Sequence, residues 1–267
     1  MSAGANERMP VLFLGHGSPM NAIEDNEFSR GWKEIAREIP RPSAILCISA
    51  HWETPGSLVT GLDAPPTIHD FSGFPRELFE VEYPAPGSAW LARETIAAVK
   101  RVAIGIDREW GFDHGCWSVL RQMYPKADIP VVQLSLDTTK PARFHYKLAV
   151  ELSPLRNRGV LIVASGNIVH NLGLAAVPKS GCSSTPFGLP WALEASALFK
   201  SLIDSDAYDA LIDFPSLGSA VQLAVPTPEH YLPLLYALAL KSPDESIDYF
   251  NDEVVAGSLM MTSLVVQ

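Results

Sequence analysis

The chain has 267 residues, 47% of them hydrophobic and 19% charged, which is ordinary globular composition and excludes a disordered or fibrous protein. Lys and Arg number 20 against 30 Asp and Glu, and the net charge of −10 argues against nucleic acid or an anionic membrane as a partner. Cys47, Cys116 and Cys182 are too few and too scattered for a disulfide framework or a cysteine zinc site, and no apolar run approaches the length of a bilayer span.

The opening stretch MSAGANERMP is polar and lacks an apolar signal core. Residues 1–9 are therefore expected as a flexible tail on one large domain (1–267) in a reducing cytoplasm, as a monomer or small homo-oligomer. Val11–Leu14 reads as a buried strand and runs straight into Gly15, His16, Gly17 and Ser18. Glu27–Glu38 has a helical pattern. Ala44–Ile48 is a second strand, running into Ser49, Ala50, His51 and Trp52. Leu62–Gly87 is rich in Pro, Gly and aromatics and carries His69, Phe71 and Phe74. A long loop of this kind forms the wall or lid of a cleft. Ser88–Arg101 is helical. Asp113 reads as the N-cap of a further helix, with His114 at its start. Ile129–Leu134 is a strand, and Pro141–Leu152 a helix with proline in its first turn. His145, inside that helix, reads as structural or exposed. Val160–Ala164 is a fourth strand, followed by Ser165, Gly166, Asn167 and then His170. Val177–Pro190 is a second long loop, and Trp191–Ile203 a helix. Thr227 as N-cap with Pro228 at the first helical position puts His230 in a first turn, although Pro233 would kink that helix or delay its start. Ser258–Val266 is a last strand candidate, at a sheet edge.

Alternating strands and helices predict an α/β fold, a mostly parallel or mixed sheet with helices on both faces. Ligands of such sheets bind in the crevice outside the carboxyl ends of the strands. Three predicted strands end in a histidine segment, and His114 and His230 lie at helix starts. These five histidines point to a metal or acid–base site. No G-x-S-x-G elbow, G-x-G-x-x-G or phosphate-binding loop follows a strand, so the main alternatives for other chemistry are absent. Glu229 and Asp113 could each supply a carboxylate.

Six segments, GHGSPM, SAHW, PPTIHDFSGFP, GFDHG, ASGN with IVHNL, and PTPEHYLPLLYAL, occur in that order over nearly the whole chain. Together they resemble the class III extradiol ring-cleavage dioxygenases, in the DOPA 4,5-dioxygenase branch. The resemblance implies a three-layer α/β/α sandwich, a catechol substrate and O2. It implies His16, His51 and His230 as metal ligands. His170 follows as the active-site base, poised near neutral pH and counted as a ligand in some members, and His114 as a second histidine facing the substrate. Trp52, Phe71, Phe74 and His69 are candidates for the substrate wall. Most extradiol enzymes hold Fe(II) with two histidines and a carboxylate. A histidine in the carboxylate's place suits Zn(II) as well, so Fe(II) is implied for turnover and Zn(II) as an alternative occupant. A zinc-dependent hydrolase using the same histidines is the competing function.

Overall fold

The protein is described by a computed structural model over residues 8–175 and 187–267. Six strands form the central sheet: β1 (Val11–Gly15), β2 (Ala44–Ser49), β3 (Val131–Gln133), β4 (Val160–Gly166), β5 (Ile247–Phe250) and β6 (Ser263–Val266). Their order across the sheet is β3-β2-β4-β1-β6-β5. The first four run parallel, while β6 is antiparallel to β1 and β5 antiparallel to β6. The sheet is thus mixed, and mostly parallel where the histidines emerge. Every residue of β1, β2 and β4 is buried, which is why these strands read as unbroken apolar runs rather than as alternation.

Helices cover both faces. On one side α1 (Glu27–Glu38) and α3 (His114–Met123) bring Trp32 and Trp117 against Leu12, Leu14, Ile45 and Val163. On the other, α2 (Ala89–Ala98), α4 (Ala142–Glu151), α5 (Pro190–Asp204) and α6 (Leu232–Ala239) close over Val11, Phe13, Leu46 and Ile162. Two apolar cores, one per face, make the three layers. The helix starts follow capping chemistry. Asn26 and Ser29 form a reciprocal capping box at α1, Ser88 accepts from the Leu91 N–H at α2, and Asp113 accepts from the Cys116 N–H at α3.

Several expectations change. The stretch 258–266 is not one strand at an edge. Leu259–Met260 pairs with Val254–Val255 in a separate ribbon, and β6 lies inside the sheet between β1 and β5. The edge is β5, whose sequence IDYF carries little strand signal. Helix α6 starts at Leu232 with Pro233 in its first turn, so His230 precedes the helix; Thr227 caps nothing and donates to the Glu229 carboxylate instead. Pro141 stands at the N-cap position of α4, one residue before the first turn. Most of the Val177–Pro190 loop, Cys182 included, lies outside the described residues, as do residues 1–7 of the expected tail. Met9 is already buried, its N–H on the Arg156 carbonyl and its own carbonyl held by the Arg156 guanidinium at 2.7 Å. Among the described residues no helix is long and apolar enough to cross a membrane.

His145 is fully buried on α4, with Nδ1 3.0 Å from the Tyr236 hydroxyl of α6. Burial lowers its pKa to about 4. The unfolded chain, with an ordinary histidine near 6.5, therefore binds more protons than the folded one between those values. Stability from this site is complete above about pH 6.5 and falls as pH drops towards 4. Thermal melts should show His145→Gln losing less stability than the parent over that acid window. Identical slopes for the two proteins would remove His145 from the account.

Candidate metal centre

Strands β2, β4 and β1 are neighbours, parallel, and in register at their carboxyl ends: Ser49 pairs with Ser165 and Gly15 with Gly166. His16 follows β1 directly, His51 lies two residues past β2, and His170 four past β4. The fourth segment reaches the same place through Asn167. Its N–H donates to the His230 carbonyl at 2.9 Å, and its side-chain amide donates to the Met260 carbonyl at 2.7 Å. Gly166 is required beside it, because a Cβ there would run into the His230 carbonyl. His114 arrives at the start of α3.

The ring nitrogens of His16, His51 and His230 come within 4.8 Å of one another. His16 Nε2 and His51 Nε2 are 3.1 Å apart. Two of these three rings hydrogen-bond to an oxygen through the other nitrogen, and the third faces one. His16 Nδ1 is 3.1 Å from Ser165 Oγ, which itself donates to the Gly115 carbonyl and so accepts from the imidazole. His230 Nδ1 is 3.0 Å from Glu229 Oε1. His51 Nδ1 lies 3.5 Å from Asp70 Oδ2, longer than a hydrogen bond. For His16 and His230 the acceptor behind Nδ1 selects the Nδ1–H tautomer and leaves the Nε2 lone pair facing inward, and Asp70 favours the same tautomer of His51 from farther off. A separation of 3.1 Å fits two nitrogens that each stand about 2.0–2.1 Å from one ion. The donor set therefore fits a divalent metal.

Electrostatics agree with neutral ligands. Burial, then the neighbouring imidazoles, holds His16 and His51 well below the usual histidine pKa. Burial also lowers His230, against the opposing pull of Glu229. Glu229 would be raised by burial, but hydrogen bonds from His230, its own backbone and Thr227 bring it down to about 2, so it is ionised. Its carboxylate meets the back of His230.

His170 stacks flat on His230, with centroids 3.5 Å apart and planes 6° from parallel. Its nitrogens cluster with Glu229 and His230, not with His16 and His51. Burial first, and then His230, lowers its pKa to about 3, far below the neutral poise expected of it. His114 packs against His51 with centroids 3.8 Å apart. Asp70 Oδ2 is 3.0 Å from His114 Nδ1, and Asp70 Oδ1 accepts the His114 N–H at 2.9 Å. Burial alone would raise Asp70, yet these contacts hold its carboxyl below the usual range. The back of the site is tied together by Asp113, fully buried, which receives Ser49 Oγ at 2.6 Å and Gln133 Nε2 at 2.7 Å. Gly115 belongs here too, since a Cβ would strike Ser49 Oγ and the His51 ring.

All five histidines line one cavity of about 520 Å³. Phe71 and Phe74 line it as well, edge to face at 5.4 Å. Trp52 does not; it is buried and stacked on Trp110 at 5.9 Å. Nor does His69, whose Nε2 meets the Val81 carbonyl at 3.1 Å and braces the loop. The loop residue that does reach the histidines is its neighbour, Asp70. Ser165, Asn167 and Asp70 are the site residues that sequence reasoning passed over. Each sits inside a segment already singled out, one to five residues from a histidine.

Residues 10–237 match the family of the catalytic LigB subunit of aromatic ring-opening dioxygenase. The chain belongs to this family. It is 45% identical over 264 residues to the 4,5-DOPA dioxygenase extradiol of Escherichia coli K12, covering 97% of this chain and 95% of that one. It is 38% identical to the protein of the same name from Beta vulgaris, covering 91% and 90%. A crystal structure of an uncharacterized Escherichia coli K12 protein superposes with a TM-score of 0.84 at 39% identity, over 97% of this chain and 100% of the other. As a LigB-family protein the chain is a metal-dependent ring-opening dioxygenase, and the zinc-dependent hydrolase reading is not favoured.

Outer-shell groups behind metal-binding histidines typically contribute about 10–100-fold in metal affinity. Asp70→Asn should therefore weaken metal binding within that range in a chelator competition. An unchanged affinity would mean that Asp70 orients neither His51 nor His114.

Proposed function

We propose that this protein opens the ring of a DOPA-like catechol next to its paired hydroxyls, using O2 and Fe(II) held by His16, His51 and His230. The observation that carries this is the convergence of three inward-facing imidazole nitrogens in the floor of an aromatic-walled cavity. At about 520 Å³ the cavity suits a small ring molecule. Bound there, the metal supplies open positions for the two catechol oxygens, lowers the pKa of their hydroxyls and provides the redox change that Zn(II) lacks. Zn(II) fits the same donors without supporting turnover.

The chain's own groups do the rest. His170, neutral and stacked beside His230, accepts a hydroxyl proton, and ionised Glu229 close by favours the imidazolium that results. His114, with Asp70 behind its Nδ1, presents its other nitrogen to the substrate and donates a hydrogen bond or proton to the oxygen that develops charge. Phe71 and Phe74 flank the ring and keep water from it. The names of the relatives support the DOPA-like assignment. The scattered cysteines, with the thiols of Cys47 and Cys116 free, support a cytoplasmic setting.

The test is anaerobic reconstitution with Fe(II) or Zn(II), then addition of oxygen and catechols. A yellow ring-opened product and oxygen uptake are expected with iron alone. No uptake with any catechol would overturn the reading. The division of roles has its own measurement. His170→Ala should retain metal while losing about 10²–10⁴-fold in kcat, whereas His51→Ala should lose metal. Equal metal loss in both would make His170 a ligand.

A further inference from the structure

The histidine floor accounts for the catechol oxygens but not for what the rest of the substrate meets. The described residues lining the cavity include no Lys or Arg. They include two carboxylates, Asp70 and Glu24. Asp70 is engaged by His114 and lies against His51. Glu24 is different. It is half-buried, and its only side-chain hydrogen bond among the described residues is a long one, 3.4 Å, from Asn26 Nδ2. It has no cationic partner among them. Its backbone is nevertheless fixed, because the Glu24 N–H donates to the Met20 carbonyl at 3.0 Å and the capping box of α1 begins two residues later. Phe28, the next turn on, lines the same wall.

A catechol held through its two oxygens carries its ring substituent away from them, towards these walls. An anionic substituent would meet Glu24 and Asp70 with no described cation to offset them. A cationic one would meet an unpaired carboxylate in apolar surroundings, where its charge is less screened than in water. We infer that Glu24 is a specificity-determining residue that favours catechols whose side chain carries an ammonium group, as a DOPA-like side chain does. This rests on the ring-opening reading and adds the class of substituent to it.

The experiment compares three catechols on the Fe(II)-reconstituted protein: dopamine (ammonium), ethylcatechol (uncharged) and dihydrocaffeate (carboxylate). Binding is measured anaerobically by calorimetry and turnover by oxygen uptake. Both should rank dopamine above ethylcatechol above dihydrocaffeate. Glu24→Gln should cut the dopamine-to-ethylcatechol ratio of kcat/KM about tenfold, the low end for a hydrogen bond to a charged group. Glu24→Lys should shift the preference towards dihydrocaffeate. If the three are opened in another order, or if the ratio is the same in Glu24→Gln, the inference is overturned while the ring-opening reading stands. If none is bound or opened, the ring-opening reading fails and the inference with it.

Discussion

Two imidazole nitrogens stand 3.1 Å apart; with the His16 proton on the Ser165 side and the His51 proton turned towards Asp70, neither has a hydrogen to give the other. Their lone pairs repel unless a cation stands between them. The architecture around the site maintains that arrangement. Ser165, Glu229 and Asp70 sit behind the three rings, and burial keeps the rings neutral. A protonated cluster would place several like charges together in a poorly solvated space, which is costly. The geometry is thus favourable mainly with a metal present.

The fold supplies this geometry at the end of the sheet. Three adjacent parallel strands stop in the same layer, so residues following them meet without long loops. The fourth segment, before α6, is brought in by Asn167 and by the space that Gly166 leaves. Asp113 and Gly115 perform the same service for α3, one by hydrogen bonds to the end of β2 and β3, the other by having no side chain. Rigid elements carry the floor, while the long loop at Leu62–Gly87 supplies the aromatic wall.

Much of this was legible in the sequence, for identifiable reasons. Strands buried on both faces leave continuous apolar runs, and each of the key runs ended at a histidine. The helix caps at Asn26, Ser88 and Asp113 belong to local chemistry that survives folding. What escaped depends on distant contacts. His69 and Asp70 are adjacent, and pattern alone favours the histidine, yet the loop turns the aspartate inward and ties the histidine to Val81. Trp52 follows the same logic: as an aromatic beside His51 it reads as substrate wall, but it stacks on Trp110 instead. Strand β5 hides because an edge strand with an exposed face has a mixed composition. Glu24 left no mark at all, since an acidic residue before a helix is ordinary until the cavity beside it is known.

The position of β6 reaches beyond the site. Val11 pairs with Val266, so the strand that delivers His16 is flanked on one side by residues from the far end of the sequence. Met261, just before β6, lines the cavity. Contacts of such sequence separation form slowly, because a very long loop must close before they yield any stability. A chain lacking β6 would carry its histidines without the neighbour that closes the sheet beside His16 and without the Met261 wall.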